Sequence, residues 1–195
     1  MKLLFLFIVF LSAINIQAYS QNDSIGIYAK NGFITSKIEP IKYSRFKTNT
    51  LGSALTMGIA SSKIKLIFDG EYSQNLANVD TEFYFYFSKN PGIENINKYF
   101  MFINSSSPSD FALAKFKVKN NKRELETGKV NIYSGTELGV MDNIDASIDV
   151  VKINEGIYKV SIKGNIDPGE YCFYYNAQSG SGAYLPVFDF RFVEK

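Results

Sequence analysis

The chain has 195 residues, of which 46% are hydrophobic, 21% charged and 15% aromatic, and its 21 basic and 19 acidic side chains leave a formal net charge of +2. It contains no His, no Trp and one Cys. These totals exclude a Ser-His-Asp or Cys-His relay, which needs an imidazole to carry the proton, and the common zinc sites built on His and Cys; the balanced charge also gives nucleic acid no electrostatic footprint.

The length suits one domain with its own core, and the 17 Phe and 13 Tyr argue against disorder. The N-terminus reads as a secretory signal peptide. Lys2 supplies the positive start, and residues 3–14 form an apolar run broken only by Ser12. Ala18 and Ser20 place small residues three and one before Gln21, so cleavage is expected after Ser20, with Ala18 as the alternative. The run is shorter than the roughly 20 apolar residues that cross a bilayer, so the mature chain is expected to carry no membrane span, with an uncleaved N-terminal anchor as the alternative. No Cys stands at the end of the run, which gives lipoprotein processing no support; the single Cys is Cys172, far downstream. Losing Lys2 lowers the formal net charge from +2 to +1. The expected organisation is a signal peptide over 1–20, an N-terminal β-hairpin or extension over 21–50 and a β-sandwich over 51–195. The destination is the periplasm, the cell surface or the medium. Abundant Lys, Asn and Ile suit an AT-rich bacterial genome; in another host Asn104-Ser105-Ser106 would be a glycan acceptor.

Beyond the leader, alternation with period two dominates, and an amphipathic helix pattern is never sustained. Residues 24–29 and 33–38 flank Lys30-Asn31-Gly32, a hairpin signal, and 41–47 is a weaker strand. Residues 51–62 are rich in Gly, Ala, Ser and Thr and fit a strand, a loop or a helical turn. Strand 63–68 turns Ile64, Leu66 and Phe68 one way and ends at Asp69-Gly70. Strand 81–87 puts Phe83, Phe85 and Phe87 on one face and Tyr84 and Tyr86 on the other, the pattern of a central strand covered on both faces. Residues 98–104 read as a short apolar strand. In 111–119, Ala112, Ala114, Phe116 and Val118 alternate with lysines before the turn at Asn120-Asn121. Short strands are expected at 123–126, 129–133, 137–141, 147–153, 157–163, 171–176 and 185–193. Strands spaced this way predict an all-β, antiparallel sandwich or barrel.

Asp167-Pro168-Gly169-Glu170-Tyr171 has the Asp-x-Gly-x-Tyr spacing of a tyrosine corner, with Asp167, Gly169 and Tyr171 as its members. Through this segment, 83–87 and Phe188-Asp189-Phe190, the chain resembles a group of secreted bacterial β-sandwich proteins with an immunoglobulin-like or transthyretin-like Pro-Gly-Glu-Tyr corner. Phe173 stands where antibody domains carry Cys, so the resemblance implies an immunoglobulin-like sandwich without its disulfide. It implies no biochemical role.

Several constellations could carry chemistry. Tyr84, Tyr86, Tyr174 and Tyr175 could stack on sugar rings, although alternating aromatics also build sandwich cores. Lys115, Lys117, Lys119, Lys122 and Arg123 could meet an anionic polymer, or form a solvated face that blocks edge aggregation. Gly180 and Gly182 lack the Gly-Lys-Ser/Thr ending of a phosphate loop. Asp142, Asp145 and Asp149 do not keep the spacing of a calcium-binding helix-loop-helix; a nonstandard sandwich-loop calcium site is the alternative to the expectation of no metal and no cofactor. Asp69, Glu71, Asp167, Glu170 and Asp189 could include a hydrolytic carboxylate pair. Cys172 reads as an inert core residue or, alternatively, an intermolecular disulfide. The overall expectation is an exported, noncatalytic β-sandwich module with no catalytic residues, whose partner is a protein or a cell-envelope component. The alternatives are a carbohydrate-binding protein, an adhesin or fibre subunit joined by strand exchange, and a carboxylate hydrolase.

Overall fold

The computed structural model describes residues 25–48, 60–87, 98–131, 133–139, 144, 146–175 and 186–194. The expected signal peptide 1–20, most of the ambiguous stretch 51–62, Asp142, Asp145, Gly180 and Gly182 lie outside the described residues. No helix among the described residues is long and apolar enough to cross a membrane.

The domain is all-β, with several antiparallel sheets and, among the described residues, one short α-helix and one 3-10 turn. The first sheet, in the order β11-β12-β6-β1-β2, uses Ala146–Asn154, Ile157–Gly164, Glu82–Tyr86, Gly26–Asn31 and Ile34–Ile38. The second, β5-β14-β13-β7, uses Leu76–Ala77, Val187–Phe192, Gly169–Tyr175 and Phe111–Lys115. The third, β10-β9-β4-β3, uses Gly135–Leu138, Lys122–Asn131, Ser62–Asp69 and Arg45–Thr48, with β8 (Lys117–Lys119) also paired to β9. Only β5 and β14 pair in parallel among the described strands.

Three sheets stand where the sequence led to an expectation of two, and β13 shows how they stack. Tyr171, Phe173 and Tyr175 point into a core shared with the first sheet, against Ile27, Phe83 and Phe85. Cys172 and Tyr174 point the other way, into a second core with Leu66, Phe68, Phe116 and Leu125. The second sheet is therefore the middle layer, and β13 is the strand with both faces apolar and buried. In β6 only the Phe face is buried, while Tyr84 and Tyr86 stay half-buried on the outside.

The chain passes between layers at defined points. Residues 111–119, expected as one strand, divide at Phe116: β7 pairs with β13, and β8 pairs with β9. The Phe116 amide donates to the Glu170 carbonyl at 2.9 Å, fixing the crossing. Asn120 and Asn121 follow with φ of 52° and 58°, the left-handed pair that a tight hairpin turn needs. In the first hairpin the turn centres on Gly32-Phe33, one residue later than expected, because Asn31 pairs with Ile34. That hairpin belongs to the first sheet, since β1 also pairs with β6.

Residues 98–104 do not form a strand. Phe100–Asn104 is a short helix, α1. A continuous apolar run fits either element by periodicity alone. Here the helical turn brings Tyr99 and Phe102 together, with the Phe102 amide donating to the Tyr99 carbonyl at 2.9 Å, and sets Phe102 on Phe111 and Phe188. The strands expected at 123–126 and 129–133 merge into the single ten-residue β9.

Candidate functional site

The alternation that buries Phe83 and Phe85 turns Glu82, Tyr84 and Tyr86 to the outer face of the first sheet. Strand register adds their neighbours. Lys37 pairs with Tyr28, Tyr28 with Tyr84, and Tyr84 with Lys159, so a lysine-tyrosine-tyrosine-lysine row runs across β2, β1, β6 and β12. Tyr28 also meets Tyr86 edge to face, with centroids 5.0 Å apart. Lys30 lies 5.9 Å from the Tyr84 ring centre, and Lys37 lies 5.7 Å from that of Tyr28 and 4.5 Å from that of Tyr99. These are cation–π distances.

Two carboxylates sit in this face, each tied to a lysine. Glu82 accepts from Lys159 Nζ at 3.0 Å and from the Tyr84 hydroxyl at 3.0 Å. The lysine contact is the main reason that the Glu82 carboxyl lies below the usual range. Glu39 accepts from the Tyr99 hydroxyl at 3.0 Å and pairs with Lys98. Burial pushes Glu39 up, but the Lys98 and Tyr99 hydrogen bonds outweigh it and hold the carboxyl low. Burial lowers Lys37 and raises Tyr84 and, much further, Tyr99. Four ammonium groups thus share the face with two carboxylates, and the patch is positive, aromatic and rich in hydroxyls.

The four tyrosines proposed from sequence do not meet. Tyr84 and Tyr86 lie on this outer face, whereas Tyr174 and Tyr175 are 8% and 7% exposed and sit in different cores. Burial pushes the hydroxyls of Tyr174 and Tyr175 up. Tyr28 and Tyr99 are buried, at 7% and 2% exposure, and support the patch from below while Lys37 borders it; none of the three was singled out by sequence. Alternation already marks Tyr28 as opposite to Ile27 and Ala29, but only the β1–β6 register shows that it joins Tyr84. At the corner, the Tyr171 hydroxyl donates to the Asp167 carbonyl at 2.7 Å. A Cβ at Gly169 would sit 3.2 Å from Lys115 Cε, and Lys115 lies over the Tyr171 ring.

The remaining acidic candidates separate. Asp69 lies at the surface with Lys122, and Asp167 is exposed near Lys115. Asp189 and Glu170 instead enter the second core beside Arg123, which is 5% exposed. Arg123 bonds Asp189 through Nη1 and donates from Nε to the Gly70 carbonyl at 3.2 Å; its guanidinium lies 5.4 Å from the Phe116 ring centre. Arg123 therefore does not belong to the solvated lysine face expected for it, because β9 alternation turns it inward with Leu125. Glu170 Oε2 accepts from the Ser73 amide at 2.7 Å. Cys172 is free, fully buried and pushed well up by burial, so its sulfur stays a thiol. Among the described residues no group of three or more Cys, Asp or Glu is placed to hold a metal ion.

No protein-family model matches the chain, and neither a curated protein nor a solved structure matches it.

Proposed function

We propose that the protein is an exported, noncatalytic binding module that holds a protein or another cell-envelope component on the outer face of its five-stranded sheet. The observation that carries this reading is the Lys37-Tyr28-Tyr84-Lys159 row, in which half-buried Tyr84 offers the contact surface and buried Tyr28 holds it in place. Tyrosines offer large contact area with few rotatable bonds, and flanking charges set orientation and encounter rate. The leader-like N-terminus supports export. The sheet edges argue against strand exchange: β1 lies between β2 and β6, and β14 lies between β5 and β13, so freeing either would break two ladders. Asp189 and Glu170 share Arg123 inside a core, an arrangement suited to joining layers rather than to activating water.

The half-exposed, outward Tyr84 and Tyr86 favour a second reading, a glycan as the ligand. Lys30 covers part of the Tyr84 ring, so a sugar would have to displace it.

The test is affinity capture from cross-linked envelope extract with the wild-type protein and a Tyr84→Ser/Lys159→Glu variant. A saturable partner retained by the wild type and lost by the variant supports the protein reading. Retardation in polysaccharide gels, abolished by the same changes, moves the assignment to a glycan. Equal capture by both proteins rejects the face.

A further inference from the structure

A second site lies away from that face, at the junction of β13, β14 and the loop after β4. Glu170 is only 2% exposed through its side chain. Its Oε2 takes the Ser73 amide, but its Oε1 accepts no hydrogen bond. The cation nearest Oε1 is Arg191, whose Nε stands 3.6 Å away, beyond hydrogen-bond reach. Arg191 instead stacks on Tyr72, with its guanidinium carbon 4.3 Å from the ring centre. A buried acceptor with no donor is costly, and more so when ionised. Burial is the main cause that raises the Glu170 carboxyl, in keeping with a charge that lacks a full set of donors.

Glu170 lines a groove of about 480 Å³, within the range of small-ligand sites. Its chemistry is uneven. Glu71 and Glu194 join Glu170 on the acidic side against the single cation Arg191, while Val118, Pro168 and Val193 supply apolar wall. The Tyr72 hydroxyl donates to Glu71 Oε1 at 2.9 Å, holding that carboxylate beside the aromatic ring.

We propose that this groove binds an alkylammonium group, its N–H donating to Glu170 Oε1 and its methylene stem lying along the apolar wall. An ammonium fits better than an anion because three carboxylates line the groove against Arg191 alone, the buried Arg123 behind Glu170 being taken up mainly by Asp189. A compact head with three donors fits better than a planar fork because one buried oxygen lacks a donor, not two. The Arg191 side chain is 41% exposed and is the part that shifts aside for the ligand. The same chemistry could come from a free diamine or from the lysine side chain of a peptide.

Calorimetric titration of the purified protein with 1,5-diaminopentane and, separately, with an acetylated, amidated Gly-Lys-Gly peptide tests this. At least one should bind saturably, and which one binds identifies the source. Pentanoate, with a similar stem and the opposite charge, should not bind. Glu170→Gln keeps the shape and should weaken binding about 10- to 100-fold, the effect of a hydrogen bond to a charged group. Arg191→Ala removes the competing cation and should tighten binding. Glu71→Gln/Glu194→Gln changes only the rim and should weaken binding by a few-fold, which keeps the test decisive if Glu170→Gln unfolds. Absence of binding to both amines, equal binding of pentanoate, unchanged affinity in a folded Glu170→Gln protein, or weaker binding by Arg191→Ala would each overturn the proposal. None of these outcomes bears on the tyrosine face.

Discussion

The two cores of this protein are held by different forces. Between the first and middle sheets, aromatic rings meet one another almost without charge. Phe83 packs on Phe173 and Phe190, each at 4.9 Å between ring centres, and Phe85 packs on Phe111 at 5.4 Å. Between the middle and third sheets, fewer apolar side chains meet, and Arg123, Asp189 and Glu170 are buried with them. The first core gains from apolar area removed from water, which needs no exact partner. The second depends on each charge finding its counterpart, so a single deletion there leaves an uncompensated charge. Two layers of one domain should therefore respond differently to mutation and to pH.

The largest expected effect tests the aromatic core. Phe85→Ala should cost about 3–5 kcal/mol in denaturant unfolding, through lost transfer energy plus a cavity. A cost below about 1 kcal/mol would mean that the first two sheets are not packed through Phe85. The ionic core comes next. Asp189→Asn should cost about 3 kcal/mol by leaving Arg123 only its longer 3.8 Å contact with Glu170, whereas Arg123→Met/Asp189→Leu, which removes both charges, should recover much of that loss. If the double variant were as unstable as the single, packing rather than charge pairing would be what Asp189 supplies.

Smaller effects sharpen the contrast. Tyr171→Phe removes only the hydroxyl that reaches Asp167 and should cost about 1 kcal/mol. The pH dependence should differ in sign between two glutamates. Glu124 is held low, first by its hydrogen bond from Lys65, so its contribution is present above the ordinary carboxyl pKa of 4.5 and is lost as pH falls through its lower folded value. Glu170 is raised, chiefly by burial, so folding there is favoured with the proton on and weakens as pH rises from 4.5 through its folded value. Unfolding curves of Glu124→Gln and Glu170→Gln taken from acid to neutral pH should thus diverge from wild type in opposite directions. Parallel curves would show that the buried carboxyl senses no more burial than the surface one.

Most strands are legible because alternation survives in the sequence. Phe83 and Phe85 against Tyr84 and Tyr86, and Ile64, Leu66 and Phe68 against their lysines, declare an inner and an outer face before any fold is known. What alternation leaves open is how many layers the inner faces share. Strand β13 carries Tyr171, Phe173 and Tyr175 on one side and Cys172 and Tyr174 on the other, and both sides are apolar. Read alone, that run resembles any buried strand; only its packing against the first sheet on one face and the third on the other makes it part of a middle layer. The same limit explains the candidate site. Tyr84 and Tyr86 are visible as a pair, but Tyr28 and Lys37 reach them only through cross-strand register, which joins residues roughly fifty positions apart. Residues 98–104 misled for a local reason, since an unbroken apolar run carries no period to separate helix from strand.

Residue order along the chain already carries the all-β class, the lack of imidazole chemistry, the turn at Asn120-Asn121 and the spacing at Asp167, Gly169 and Tyr171. Each depends on residue type or on neighbours along the chain. Tertiary structure alone decided that three sheets stack, that Phe116 carries the chain from one to the next, that Arg123 is buried with Asp189, and that Glu170 keeps one oxygen without a donor. These depend on which side chains meet across layers, where burial changes the cost of a charge and distance along the chain no longer says what touches what.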